Sequence, residues 1–498
     1  MPLIPSSLSR HLRGLRRAGL AGAVLLAGCA AGPDYQRPVT PVPAAFKESG
    51  PWKAAEPRAA DSRQPWWDAY RDPTLSALMA QAVQANQTLR QAEAQYRQAQ
   101  ALADAARAGL SPTVGASAGA GRALTNSTGV KLGNTYTLGA SASWVPDLWG
   151  SVRRGIEAGE AGAQASADDL AAARLSIQAT LAQDYLQLRV TDLQRELYAA
   201  TVAAYMRSAA LTRHQYEAGT ALRSDVALAE SQLKTAQAQA TDLEAQRSQL
   251  EHAIAVLTGQ PPAAFSLPPE PPGQLTAALL RQRMPQIPAG LPSELLERRP
   301  DIAAAERRAA QANANIGVAR AAYFPSLTLS AGAGYASTSF PALFDAPSRV
   351  WSLGAALAQT LFDGGLRNAR NAQAEAAFEA AAAQYKQTVL NGFQQVEDNL
   401  AILRVLDVEA AQQDDAVRAA ALAEQLALSQ YRAGTATYLA VVTAQTLSLT
   451  NQRTAAQLLG RQLSASVSLV TALGGGWQAA DAAARPQARA TQAPSSGN

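Results

Sequence analysis

One cysteine and three histidines are all the thiol and imidazole groups in this 498-residue sequence. His11 lies in a basic leader, so only His214 and His252 remain beyond it. They form no nucleophile–base pairing and no metal spacing, no phosphate-cradling glycine loop accompanies them, and the acids are spread along stretches that read as solvated helix faces. A single cysteine, Cys29, also rules out a disulfide within the chain. The polar chemistry left over gathers at a phrase written twice, QYEAGT at Gln215–Thr220 and QYRAGT at Gln430–Thr435, 215 residues apart. Gly219 and Gly434 give each copy the positive-φ freedom that ends or reverses a helix. The tyrosines Tyr216 and Tyr431, the threonines Thr220 and Thr435, and the charges Arg432 and Asp225 supply hydrogen-bonding groups around those turns.

Around these residues the chain is built to be exported. Arg10, Arg13, Arg16 and Arg17 precede an eleven-residue apolar run at 18–28, too short to span a bilayer as a helix. Removing those four arginines from 43 basic residues leaves 39, equal to the 39 acidic ones, so the mature chain has no net basic balance to suggest nucleic acid. The leader ends LAGC at 26–29, which resembles a bacterial lipoprotein box. Residues 1–28 are therefore expected to be a signal peptide. Cys29 would become the lipid-carrying N-terminus, several acyl chains together anchoring where one is marginal. Ala30 at the next position implies the outer membrane.

The repetition extends far beyond the turns. Glu93, Arg107 and Pro112 match Glu306, Arg320 and Pro325 at an offset of 213, and Gly150 and Arg153 match Gly364 and Arg367 at 214. A tandem duplication with few insertions follows. An extended arm with aromatic anchors at Trp66 and Trp67 is expected over 29–72, repeat 1 over 73–259 and repeat 2 over 301–476. A proline-dense connector, expected to be free of helix, fills 260–300, and a small, polar, disordered tail 477–498.

Each repeat changes period within itself. Helix is expected over 73–107. Strands at about 113–121 and 135–145 follow, and in the second copy at about 326–336 and 350–362. Their ten-residue length suits a tilted bilayer crossing, although a soluble hairpin with one buried face reads the same way. Then comes a proline-free helix to about 214, some 60 residues and about 90 Å long, the tip turn at 215–220, and a return helix. Leu222, Val226, Ala229, Leu233, Ala236, Ala240, Leu243, Leu250, Ile254 and Leu257 keep a coiled-coil 4-3 spacing that Arg247 alone interrupts. The second tip turn is 430–435. Four strands cannot close a barrel, and open strand edges are not tolerated in lipid. Closure needs other copies. Eight strands would fill their own interior, whereas twelve leave a passage, with the Thr/Ser/Gly face toward water.

QYEAGT…SDVALAESQL, QYRAGT…LAVVTAQTLSL, the connector phrase LPSELLERRPDI, LFDGG after the last strand and ALGGGW near the end resemble the TolC-like outer-membrane factor family. The lipoprotein branch of OprM and NodT-type proteins is the most similar. The resemblance covers essentially the whole mature chain. It implies an α+β membrane channel, a homotrimer whose four strands per protomer complete a twelve-stranded outer-membrane barrel over a long coiled-coil helical periplasmic barrel. It implies the exit duct of a tripartite efflux system, with a periplasmic adaptor (membrane fusion) protein and an inner-membrane pump as partners. Neither enzyme activity nor a cofactor nor nucleic acid is implied. The tip turns, Tyr216, Gly219, Thr220, Tyr431, Gly434 and Thr435, correspond to the adaptor-docking end. Tyr431 and Arg432 against Asp225 match a closing latch, whose alternative is that Tyr431 packs and Asp225 is an N-terminal charge on its helix. Ala440 and Thr443 stand where many relatives carry acidic rings, which puts cation selectivity in doubt. Leu439 matches a hydrophobic constriction. Two rivals remain: an exit duct for protein secretion of the same fold, and a structural coiled-coil lipoprotein. The four alternating strands separate the second from a channel.

Overall fold

A computed structural model describes residues 31–48, 65–125, 131–271, 273–285 and 298–476. The expected signal peptide, Cys29, part of the expected arm and connector, and the expected tail lie outside the described residues. The duplication is visible in element lengths. Helices α2 (Gln87–Ala108) and α6 (Pro300–Ala321) have 22 residues each. Helices α3 (Ser151–Glu217) and α7 (Leu366–Arg432) have 67, about 100 Å of helix. Helices α4 (Arg223–Leu257) and α8 (Tyr438–Ala472) have 35. None of the helices described is long and apolar enough to cross a membrane.

The chain divides into two compact units. One gathers the described residues within 1–39, 95–167 and 304–386, and it holds the sheet. Strands β1 (Thr113–Thr125), β2 (Lys131–Trp144), β3 (Ser326–Ser337) and β4 (Arg349–Ala358) run antiparallel in the order β1-β2-β3-β4. The repeats join where β2 pairs with β3, Gly139 opposite Gly334. A Cβ on Gly334 would meet the Leu138 carbonyl oxygen at 2.3 Å, so the seam needs glycine for backbone approach. Register sorts the side chains onto two faces. Val114, Ala118, Leu138, Trp144, Leu329, Trp351, Leu353 and Leu357 share one face, and Ser117, Thr137, Ser141, Thr328, Ser330 and Ser352 share the other. Among the described residues the outer edges of β1 and β4 are unpaired.

Strand ends differ from the sequence expectation. β1 and β2 continue to Thr125 and back to Lys131, because the Leu124–Leu132 pair extends the ladder past the glycines and Asn134. β4 stops at Ala358, leaving Leu361 and Phe362 exposed beyond it.

The second unit gathers the described residues within 40–94, 168–303 and 387–498. Its core packs Leu75, Met79 and Ala82 of α1 (Pro73–Ala85) with Leu181, Tyr185 and Leu188 of α3, Ile254 of α4 and Leu459, Leu463 and Val467 of α8. The expected single helix over 73–107 is two, parted at Asn86. Its amide donates to the Leu257 carbonyl and its carbonyl oxygen caps Leu89 N–H, an alternative to helical bonding that asparagine favours. The connector also departs from expectation. Its proline-free segment forms α5 (Ala277–Arg283), N-capped by Thr276, with Leu280 buried. Nor does the arm stay extended to its end, since Trp66–Tyr70 is a 3₁₀ turn with Trp66 edge-on to Trp67 and Tyr70.

Candidate functional site

The two copies of the turn phrase end their long helices by the same hydrogen bonds. Gly219 N–H donates to the Tyr216 carbonyl at 2.9 Å and Thr220 N–H to the Gln215 carbonyl at 2.8 Å. In the second copy Gly434 donates to Tyr431 at 2.9 Å and Thr435 to Gln430 at 2.9 Å. This pair of bonds with a left-handed glycine, φ 74° and 78°, is the Schellman stop. Each threonine also donates its hydroxyl to the same carbonyl as its own N–H, at 3.0 and 3.1 Å. The glutamine carbonyl, the glycine and the threonine are thus one device for reversing a helix.

Beyond the backbone the copies diverge. Tyr216 is 43% exposed, Tyr431 only 8%. Tyr431 packs its ring on Tyr438, centroids 5.3 Å apart, among Ala229 and Val441. Its hydroxyl donates to the Gln215 side-chain oxygen and so ties the second turn to the first. Tyr438 is buried, with its hydroxyl 3.2 Å from Ser208 Oγ. Burial raises the Tyr438 phenol above its ordinary value, against the Ser208 and Thr212 hydrogen bonds, and pushes Tyr205 in the same unit up to about 12. Both phenols are neutral at physiological pH.

The three residues of the expected latch are not all joined within the chain. Asp225 accepts from Leu222 N–H at 3.4 Å and closes the start of its own helix α4. Arg432 makes no ion pair among the described residues. Leu439 is 59% exposed on the first turn of α8, its carbonyl accepting from the Thr443 hydroxyl at 2.9 Å. Gln215 is the tip residue that sequence reasoning passed over. A glutamine opens each copy of the phrase, Gln215 and Gln430, yet reads there as one more helical glutamine.

A charged cluster was missed as well. Arg189, its side chain 4% exposed, donates to the Tyr185 hydroxyl, to Asp192 and to the Pro268 carbonyl, each at 3.2 Å. Arg247 reaches Asp192 at 2.7 Å, Glu251 at 3.0 Å and the Leu267 carbonyl. The two arginines fasten the connector to α3 and α4. Arg247 is the residue that interrupts the apolar seam, and that interruption was the available signal. Among the described residues no group of three or more His, Cys, Asp or Glu could hold a metal ion.

The model of the family described as "Outer membrane efflux protein" matches residues 78–260 and 291–475. The probable efflux pump outer membrane protein SepC of Pseudomonas putida is 32% identical over 471 residues, 92% of this chain and 96% of that relative. The pyoverdine export outer membrane protein OpmQ of the same species is 33% identical over 454 residues, 88% of this chain and 95% of its own. The solved structure of the outer-membrane channel OprN superposes with a TM-score of 0.79 at 31% identity, covering 90% of this chain and all of that one.

Proposed function

The chain belongs to the outer membrane efflux protein family, and we propose that three copies of it close one duct through which small toxic compounds leave the cell. It is an outer-membrane efflux component extending into the periplasm. The observation that carries the trimeric reading is the sheet. Four strands of 10 to 14 residues present one apolar and one Ser/Thr/Gly face and, among the described residues, leave both outer edges unpaired. Lipid offers those edges no hydrogen bonds, so β1 of one copy must meet β4 of the next. Three copies give twelve strands with the hydroxyl face inward.

The remaining parts of the reading follow from this arrangement. The tip turns form the periplasmic mouth and the docking end for a periplasmic adaptor, through which an inner-membrane pump supplies the energy. A cavity of about 410 Å³ between α3, α4 and α8, lined in part by Tyr205, Thr446 and Arg453, is a groove of the kind an adaptor helix fits. Within a copy the tip is held by the neutral Tyr431–Gln215 bond. Arg432 and Asp225 are left to bridge neighbouring copies, and Leu439 narrows the bore. Cys29 carries the lipid anchor.

The test is planar-bilayer conductance of the purified full-length protein together with its heat-dependent migration in mild detergent. A heat-dissociable trimer that conducts is expected. A water-soluble monomer that never permeabilises vesicles would defeat the duct in favour of a structural rod.

A further inference from the structure

The apolar face of the sheet carries two arginines that nothing in the fold explains. Register places Arg122 on the same face as Val114, Ala116, Ala118 and Ala120, and Arg349 on the same face as Trp351, Leu353, Ala355 and Leu357. Both are exposed, and neither makes an ion pair or hydrogen bond among the described residues. The two hairpins together, residues 113–144 and 326–358, contain one acid, Asp345. An arginine facing lipid costs about 2–4 kcal/mol at the bilayer midplane and close to nothing at its interfaces, so depth decides whether these two are tolerable.

The register fixes that depth. Each arginine lies eight residues past the first apolar-face residue of its strand, Val114 or Leu357. At about 3.3 Å per residue and a tilt near 40°, that is roughly 20 Å of height against an apolar band about 25 Å tall. Arg349 pairs with Tyr335, Tyr335 shares its row with Leu138, and Leu138 pairs with Ala118, four residues short of Arg122. Four residues of offset over three strand spacings of about 4.8 Å correspond to a tilt of about 42°, within the barrel range. The offset in register is therefore what brings both arginines to one level. The helices leave from the other end of every strand, so that level lies on the cell-surface side. Each arginine also has a neutral donor directly opposite it on the ladder, Asn134 for Arg122 and Tyr335 for Arg349. Phe340 and Phe344 pack edge-on against Tyr136 and Tyr335 beside them.

We propose that Arg122 with Asn134 and Arg349 with Tyr335 form a girdle of phosphate-binding sites for the phosphorylated glycolipid of the outer leaflet. A guanidinium beside a neutral donor suits a phosphate monoester, and phosphate is the anion the lipid supplies at that height. The inference rests on the trimeric duct, which would carry six such arginines.

Full-length trimer in neutral detergent is mixed with a bis-phosphorylated glucosamine glycolipid, with the same lipid dephosphorylated, or with inorganic phosphate. Bound lipid is counted by native mass spectrometry, and the temperature of trimer dissociation is followed. Wild type retains the phosphorylated lipid and dissociates at a higher temperature with it, while the other two additives do neither. Arg122→Gln/Arg349→Gln binds about tenfold more weakly per site with unchanged conductance in uncharged bilayers, and Arg122→Lys/Arg349→Lys falls between. Equal binding by the glutamine variant, or the same stabilisation from inorganic phosphate alone, overturns the proposal. A wild-type chain that is monomeric before any lipid is added would overturn the duct itself, and the girdle with it.

Discussion

Tyr431→Phe isolates one contact at the tip. The ring that packs on Tyr438 remains, and only the bond to Gln215 is lost. Gln215 is half-buried and can take up water in exchange, so the loss falls in the ordinary range of about 0.5–1.5 kcal/mol for a neutral hydrogen bond. If the bond breaks as the proposed duct opens, about 1 kcal/mol changes the closed-to-open ratio of one copy roughly fivefold. If three copies open together the terms add to about 3 kcal/mol, a change of more than a hundredfold. Single-channel recording separates the two cases, since independent tips give partial conductance levels and a concerted tip gives one. Tyr431→Ala, which also removes a buried ring, should act more strongly by about 3 kcal/mol or more. An open probability unchanged in Tyr431→Phe but raised in Tyr431→Ala would assign the closure to ring packing and refute the hydrogen-bonded tie. Because no charge takes part, the Tyr431 effect should also be independent of salt.

Asp225→Ala removes a helix-capping carboxylate and, in the proposed duct, the acid facing Arg432 of a neighbouring copy, so single-channel conductance should rise; an unchanged closed state removes the latch. Arg247→Leu restores the apolar seam but strips a cation from Asp192 and Glu251, and should destabilise the second unit by about 3–5 kcal/mol, with Asp192→Asn recovering part, as read by thermal unfolding. Gly334→Ala must push β2 and β3 apart and should abolish the heat-stable trimer, whereas Gly434→Ala has no atom within 4 Å to meet and should cost only the roughly 1–2 kcal/mol of a left-handed residue. Burial holds Tyr185 and Tyr205 near 12 against about 10 when unfolded. Their contribution is complete below pH 10 and is lost as pH rises from 10 to 12, so alkaline unfolding should begin there and be blunted in Tyr205→Phe.

Patterns with a short period were legible in the sequence, and features set by tertiary partners were not. Alternation along Tyr136, Leu138, Ala140, Ala142 and Trp144 marked the strand and its faces without any structure. The strand's far end was hidden, because Gly133 and Asn134 are turn formers that keep the ladder only when Ala123 and Arg122 lie opposite. The break at Asn86 depends on the Leu257 carbonyl, 171 residues away. Likewise α5 forms where a proline-dense context masked twelve residues free of proline, 273–284. At the tip, the phrase announced a helix reversal, and the Schellman bonds supply one. That Gln215 would be the partner of Tyr431 could not be read from either copy alone.

The duplication makes the tip informative because the two copies can be compared within one chain. At the 215-residue offset that aligns the phrases, Tyr438 corresponds to Arg223. Tyr438 is buried and gives Tyr431 a ring to pack against, while Arg223 is exposed and gives Tyr216 nothing. The backbone device is the same to within 0.1 Å in its hydrogen bonds, so the difference lies in side chains, Tyr438 on the following helix and the Gln215 partner foremost. One turn has thereby become anchored, and the other keeps its tyrosine in solvent. If the anchored turn is what holds the proposed duct closed, anchoring both turns should make the tip harder to open. Exchanging Arg223→Tyr should accordingly bury Tyr216 and lower the open probability, an effect opposite in sign to Tyr431→Phe. Arg223→Tyr channels that opened as readily as wild type would show that the asymmetry between the copies has no part in gating.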